Sequence, residues 1–363
     1  MNKFFPEIKK NFGFGCMRLP QVDGNIDKDA FCAMIDKFIA EGFNYFDTAR
    51  PYHSGMSEKM LKTCLTQRHD RSEYLLANKL SPTYFEKEEE IRPLIEDQLA
   101  TCGVEYFDFY LMHAMSAERH QKYLDTHAYD IAQQMKAEGK LRHVGMSFHD
   151  SAEVLDQILT DRPELEFVQL QFNYVDYNDP KVQSRLCYEV CRKHGKPVLV
   201  MEPVKGGTLV NLPEAALELL PNGSPASYAI RYAAGFEGIV MVLSGMSNME
   251  QMEDNLSYMT GFQPLSEAEH ETIEKVRTLY QAQHKIPCTA CRYCVDGCPA
   301  GIPIPKIFAL QNAKLGKEGY DAAAYSKFPA TATDCVDCGQ CESACPQNLH
   351  IRDLLKEVDK SFA

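Results

Sequence analysis

Residues 27–47 read Asp27-Lys-Asp-Ala-Phe-Cys-Ala-Met-Ile-Asp-Lys-Phe-Ile-Ala-Glu-Gly42-Phe-Asn-Tyr-Phe-Asp47. In the first two thirds Phe31, Met34, Ile35, Phe38 and Ile39 recur at helical spacing and line one face. Asp27 or Asp29 can cap the start of that helix, and Gly42 can end it. The run from Phe43 to Asp47 is short and aromatic, which predicts a strand. The same alternation continues along the chain, with strands predicted at Tyr74–Lys79, Phe107–His113, His143–Ser147, Phe167–Gln171, Pro197–Met201 and Gly238–Leu243. A segment around Asn11 to Leu19 makes eight. Strand followed by helix, repeated, implies parallel strands, and eight units favour a (β/α)8 TIM barrel. Alternation alone leaves an open doubly wound sheet as the other arrangement.

The 363 residues suffice for a barrel of about 250 residues and an appendage. With 45% hydrophobic and 25% charged residues, the composition is that of a globular protein, and no run reaches the ~18 apolar residues of a membrane span. Pro6, Glu7 and Lys9 stand where a signal peptide needs apolar residues, so a cytoplasmic protein is expected. A formal net charge of -13 repels nucleic acid and anionic lipid, and any protein partner should offer a basic patch.

After a helix expected from Glu267 to about Gln283, the composition changes at Ile286-Pro287 to cysteine, glycine and proline. We expect residues 1–283 to form the barrel and 284–363 a small α+β ferredoxin-like module ending in a helix. Eight of the fourteen cysteines fall between Cys288 and Cys345, which points to metal in a reducing compartment. Cys288-x2-Cys291-x2-Cys294-x3-Cys298-Pro299 recurs 47 residues later as Cys335-x2-Cys338-x2-Cys341-x3-Cys345-Pro346. The repeat continues past the cysteines, with Ile302 over Leu349 and Ile304 over Ile351. This is the spacing of two-[4Fe-4S] ferredoxins, in which the fourth cysteine of each run ligates the other cluster. One cluster is expected on Cys288, Cys291, Cys294 and Cys345, the other on Cys335, Cys338, Cys341 and Cys298. Zinc is the alternative, although its sites use paired rather than tripled cysteines. The other six, Cys16, Cys32, Cys64, Cys102, Cys187 and Cys191, are expected to fill the core.

In a barrel, chemistry sits at the C-terminal ends of the strands. There the sequence places Asp47, followed by Tyr52 in Asp47-Thr-Ala-Arg-Pro-Tyr52, then Lys79 in Ala77-Asn-Lys79-Leu, then His113 in Leu111-Met-His113-Ala. These contexts resemble the aldo-keto reductase family over roughly residues 10 to 258, and its Asp, Tyr, Lys and His tetrad falls on these four positions. A tyrosine hydroxyl of pKa ~10 is a poor acid near neutrality unless a cation stabilises its phenolate. Lys79 would supply the cation, Asp47 would hold Lys79, and His113 would donate a hydrogen bond to the substrate oxygen. The resemblance implies NAD(P)H-dependent reduction of an aldehyde or ketone to an alcohol, or the reverse.

The family binds an extended dinucleotide, NADP or NAD, without a G-x-G-x-x-G loop, and none occurs here. By resemblance, Ser147 and Gln169 would hold the carboxamide. Ser244, Gly245, Ser247, Gln251 and Asn255 would cradle the adenosine half, with a helix N-terminus to receive phosphate. Phe148, Met201 and Gln251 depart from the family's usual Asn, stacking aromatic and phosphate-binding Arg, and Lys205 is expected to be solvated rather than to replace that Arg. Tyr84, Phe85 and Met115 fit either a substrate pocket or the core.

The two halves together resemble a subgroup of aldo-keto reductases with a C-terminal two-cluster domain. Hydride carries two electrons and a cluster one, so a flavin could connect them, though the sequence has no flavin motif. A carbonyl reductase with structural or electron-carrying clusters is favoured. An electron-transfer subunit and a redox sensor, each using the barrel as scaffold, are the alternatives.

Overall fold

Eight parallel strands close into a barrel in the computed structural model, which describes residues 3–221, 223–316 and 319–362. They are β1 (Phe12–Gly15), β2 (Tyr45–Asp47), β3 (Leu75–Leu80), β4 (Phe107–Met115), β5 (Leu141–Phe148), β6 (Val168–Gln171), β7 (Val198–Met201) and β8 (Ile239–Ser244). Each pairs with its sequence neighbours, and β8 returns to β1 through Phe14 and Ser244. All eight expected strands are present. The first shortens to four residues and leads into a small hairpin, Gln21–Val22 with Asn25–Ile26, that the sequence pattern did not mark.

Side chains two apart on a strand share a face, and this determines what reaches the rim. Tyr45, Leu75, Ala77, Phe109, Leu111, Phe167, Leu199, Met241 and Leu243 form one buried cluster with Phe5 and Ile8. Phe5 meets the rings of Phe109 and Phe167 edge-on, with centroids 5.0 and 5.9 Å away. Burying each such side chain contributes about 1.5–3 kcal/mol. One inward step further, Tyr45 leads to Asp47, Ala77 to Lys79, Leu111 to His113 and Phe167 to Gln169. The apolar filling and the polar rim are therefore one continuous pattern. Gly145 lies beside this filling, and a Cβ there would stand 2.5 Å from the Phe167 carbonyl oxygen, so only glycine fits the close approach.

The helix Lys28–Ala40 buries Phe31, Met34, Ile35 and Phe38, and the Asp27 side chain caps it by accepting from the Ala30 amide at 3.0 Å. Two cysteines expected as core filler are instead joined: Cys32 on this helix is disulfide-bonded to Cys64 in the turn Lys62–Thr66. Helical packing brings together residues 32 apart in sequence, a pairing no local spacing reveals. Cys16, Cys102, Cys187 and Cys191 are buried free thiols, as expected.

By compactness the chain divides into two units. One comprises residues 1–179, 183–203 and 226–265, and holds the barrel. The other comprises residues 180–182, 204–225 and 266–363. In this second unit the helix Glu267–Gln281 begins at a capping box in which Ser266 and Glu269 bond each other's amides, and Tyr280 donates to the Thr208 hydroxyl at 3.1 Å. The regular elements of its cysteine module, among the described residues, are helical, and they repeat. Helices Tyr293–Asp296 and Ile304–Leu315 reappear as Gln340–Ser343 and Ile351–Phe362, each 47 residues on. The backbone repeats as well: left-handed Ala290, Arg292 and Gly301 correspond to left-handed Asp337, Gly339 and Asn348. Ile302, Ile304, Ile307, Phe308, Ile351 and Leu355 form their shared core.

Candidate active site and cysteine cavities

Three adjacent strands bring Asp47, Lys79 and His113 to the C-terminal rim, all buried at 4%, 1% and 6% exposure. Tyr52 comes from the turn after β2 and is half-buried. His53, Ser54 and Gly55 in that turn all have left-handed backbones, a conformation costly for residues other than glycine. His53 offsets the cost by accepting the Leu19 amide at Nε2, 3.3 Å away. The following helix, Met56–Leu61, is tied back by Ser57, whose hydroxyl donates to the Cys16 carbonyl at 2.9 Å.

Lys79 is the hub. Its Nζ lies 2.5 Å from Asp47 Oδ1, 2.9 Å from the Thr48 carbonyl and 3.3 Å from the Tyr52 hydroxyl. Burial pulls its pKa below the ordinary lysine range, and the Asp47 carboxylate opposes that pull. Behind the barrel wall, Gln98 donates to the Lys79 carbonyl at 3.0 Å and to Glu58 at 3.2 Å, while Asn78 donates to Glu58 at 2.9 Å. These contacts hold the strand that carries the lysine. The Cys16 thiol is pushed far up by burial and by Asp47, so it stays neutral beside the tetrad.

The His113 ring sits edge-on to Tyr52, with centroids 6.4 Å apart. Burial, then Lys79, hold its pKa well below the usual histidine range, so the ring is neutral. Its Nδ1 lies 2.6 Å from the Ser81 hydroxyl. Ser81 was missed in the sequence, although it stands two residues beyond Lys79 on the same inward row.

The residues expected around a dinucleotide gather in two groups. Gln169 donates to Asp47 Oδ2 at 3.3 Å, and Ser147 on neighbouring β5 accepts the Ala114 amide at 2.8 Å. At the end of β8, Asn255 donates to the Ser244 hydroxyl at 3.2 Å, and Gln251 accepts the Ser247 amide at 2.8 Å. Ser247 donates to the Arg18 carbonyl at 3.1 Å, and a Cβ at Gly245 would stand 3.3 Å from the Arg18 side chain. The helix Met249–Met259 starts here, capped by Asn248. Arg18 is thus a cation of this group that the sequence reading overlooked. Phe148 and Phe85 are buried at 2%, and Met115 is fully buried, accepting from Tyr129 at 3.7 Å. Phe85 and Met115 are core, whereas Tyr84 is 42% exposed. Lys205, expected in solvent, is 3% exposed and donates to Gln347 at 3.3 Å.

In the second unit the cysteines line two small cavities. The first is lined by Cys288, Cys291, Cys294 and Cys345, with Ile304, Phe308, Leu349 and Ile351. The second is lined by Cys298, Cys335, Cys338 and Cys341, with Ile302, Ile304 and Leu355. Each cavity therefore takes three thiols from one run and one from the other. Four thiols converging on one space suit an iron-sulfur cubane, with Arg292 and Gln347 beside the first set and Arg352 beside the second. Among the described residues, no group of three His, Cys, Asp or Glu converges as a single metal ion would require. No described helix is long and apolar enough to cross a membrane.

Residues 11–278 match the family model of the aldo/keto reductase family, and residues 287–349 match that of a 4Fe-4S dicluster domain. The chain is 27% identical over 295 residues to L-galactose dehydrogenase of Arabidopsis thaliana, covering 74% of this chain and 90% of the relative. It is 22% identical over 227 residues to the NADH-specific methylglyoxal reductase of Escherichia coli, covering 57% and 66%. Among solved structures, an aldo-keto reductase of Bacillus halodurans in its holo form superposes with a TM-score of 0.61 at 23% identity, over 73% of this chain and 91% of that one. An aldo-keto reductase of Klebsiella pneumoniae in complex with NADPH superposes with a TM-score of 0.61 at 17% identity, over 74% and 90%.

Proposed function

The chain belongs to the aldo/keto reductase family and is an oxidoreductase with a 4Fe-4S domain, and from this premise we propose that its barrel interconverts a small-molecule carbonyl and its alcohol at Tyr52, Lys79, Asp47 and His113. The observation that carries the proposal is the position of the Lys79 ammonium, in contact with both Asp47 and the Tyr52 hydroxyl.

A bound NADP or NAD supplies or accepts the hydride. Tyr52 gives its proton to the substrate oxygen as hydride reaches the carbonyl carbon, and Lys79 stabilises the phenolate left behind. Asp47 keeps Lys79 charged and aimed. His113, neutral and engaged at Nδ1, presents Nε2–H to the same oxygen and stabilises the negative charge that develops there. Ser147 and Gln169 are the residues we assign to the carboxamide. Ser244, Gly245, Ser247, Gln251 and Asn255 are those we assign to the adenosine half, with Arg18 as a nearby cation for phosphate.

We assign residues 1–283 to the barrel half, although 204–225 and 266–283 belong to the compact unit of the cysteine module, and 284–363 to a module with two [4Fe-4S] clusters in crossed ligation. The mixed thiol sets of the two cavities support that assignment. Each cluster would carry one electron. Cys338 and Val336 are exposed beside Asp334 and Asp337, which suits a redox partner with a basic patch. Traffic between hydride and clusters would need a flavin or that partner as intermediary.

The test is isotopic. The protein is incubated with an aldehyde and with NADPH or NADH deuterated at the transferring carbon. Deuterium at the carbinol carbon supports the reading, and nucleotide binding without transfer to any of a panel of aldehydes and ketones contradicts it.

A further inference from the structure

We propose that Glu58 is a positioning residue for the proton transfer, setting how closely the Tyr52 hydroxyl meets the Lys79 ammonium by tying the turn that carries Tyr52 to the strand that carries Lys79. The inference rests on Tyr52 as the proton donor. Glu58 stands on the helix Met56–Leu61, outside the inward rows of the barrel strands, yet it is fully buried. Its two oxygens serve different elements. Oε2 lies 2.8 Å from Arg50 Nε, and neither of these atoms is hydrogen-bonded to anything else. Oε1 accepts from Asn78 at 2.9 Å and from Gln98 at 3.2 Å.

The first arm closes the turn. Arg50 precedes Tyr52 and Glu58 follows it, so their contact spans a segment in which His53, Ser54 and Gly55 all have left-handed backbones. The Arg50 side chain crosses that segment closely enough that a Cβ on Gly55 would stand 3.8 Å from its Cδ. Its Nη2 reaches Asp97, on the helix Glu88–Cys102, at 2.7 Å. Backbone preference does not hold such a turn, and a tie across its base fixes where Tyr52 stands. The second arm grips β3. Asn78 Oδ1 accepts the Lys79 amide at 2.8 Å, while Gln98 donates to the Lys79 carbonyl at 3.0 Å and accepts from Tyr110 at 2.6 Å. With their oxygens so engaged, both side-chain amides turn N–H towards Glu58.

Proton transfer is sensitive to this placement, since a misplacement of ~1 Å costs up to about a hundredfold. Burial pushes the Glu58 carboxyl pKa up, and Asn78, Arg50 and Gln98 oppose that push, but what reaches Tyr52 is position rather than charge. Arg50, Asn78 and Gln98 all present N–H to Glu58, and an amide has a single acceptor oxygen, so Glu58→Gln leaves an acceptor for one arm only. Ser57, bonded to the Thr48 hydroxyl and the Cys16 carbonyl, still holds the helix when the tie is cut. The loss therefore falls on the turn.

The test is single-turnover oxidation of NADPH or NADH bound to the full chain, reconstituted anaerobically, with benzaldehyde and short-chain aldehydes as probes, so that product release does not enter. Glu58→Gln and Arg50→Met should each slow hydride transfer about tenfold, with aldehyde KM and nucleotide affinity within about twofold of the wild type. The two together should be no slower than either alone, because they cut one tie, and Glu58→Gln added to Tyr52→Phe should cost nothing further. If Glu58→Gln does not fold, Arg50→Met, on the solvent side of the pair, reads the same tie. Wild-type rates in both variants, an equal loss in the Tyr52→Phe background, or a change confined to KM or nucleotide affinity would overturn the proposal. Wild-type rates in Tyr52→Phe, or no aldehyde reduced by the wild type, would instead overturn the reading on which it rests.

Discussion

The Ser81 hydroxyl lies 2.6 Å from Nδ1 of His113. A neutral imidazole carries one N–H, and its other nitrogen accepts. Burial and Lys79 keep His113 neutral; with the Ser81 hydroxyl as donor to Nδ1, the direction the proposed mechanism requires, the ring proton lies on Nε2, the tautomer that can donate to a substrate oxygen.

Ser81→Ala should therefore lower kcat about tenfold, on the order of one oriented hydrogen bond, with little change in KM. Steady-state kinetics on one aldehyde decide this. An unchanged kcat would show that something other than Ser81 sets the tautomer.

Cys298→Ala should damage the cluster on Cys335, Cys338 and Cys341 rather than the one on its own sequence neighbours, because Cys298 lines their cavity. Electron paramagnetic resonance of the dithionite-reduced protein separates the two. Selective loss of the other signal would refute the crossed arrangement.

At the entry end of the barrel, Glu166 accepts from Lys136, His143 and the Val144 amide. Burial alone would raise its pKa, but these bonds outweigh burial and hold it at about 2, against 4.5 for an ordinary glutamate. A carboxylate depressed in the folded state adds stability that is complete above its unfolded pKa and is lost as pH falls towards the folded one. The stability gap between wild type and Glu166→Gln in urea should accordingly shrink between pH 4.5 and 2 as Glu166 protonates, and also as pH rises past about 6.5, where His143, whose pKa Glu166 raises, loses its proton. A gap independent of pH across the acid window would remove Glu166 from the acid response.

What was legible in the sequence was periodic. The two-residue alternation that fills the barrel with Tyr45, Ala77, Leu111 and Phe167 also aims Asp47, Lys79, His113 and Gln169 at the rim, so the strands were read from this pattern, whereas the tetrad, with Tyr52 on a turn outside it, was read from the resemblance to the family. Ser81 obeys the same alternation and was missed because a lone serine before proline reads as a turn. The 47-residue repeat was legible for the same reason, and it extends to helix ends and left-handed residues. The remaining features depend on contacts between distant segments. Nothing near Cys32 announces Cys64, and nothing in a loop of lysine and glycines announces that Lys205 is buried on Gln347. Likewise the left-handed turn behind Tyr52 is held by a bond from Leu19 to His53, which local propensity does not reveal.

The most direct measurement is NADPH or NADH oxidation by an aldehyde in the wild type and in Tyr52→Phe, with nucleotide affinity and the cluster spectrum recorded on the same samples. With the hydroxyl beside Lys79 as the proposed proton donor, its removal should cost at least about a hundredfold in kcat while affinity and spectrum stay as in the wild type. Turnover at the wild-type rate in Tyr52→Phe would contradict the account.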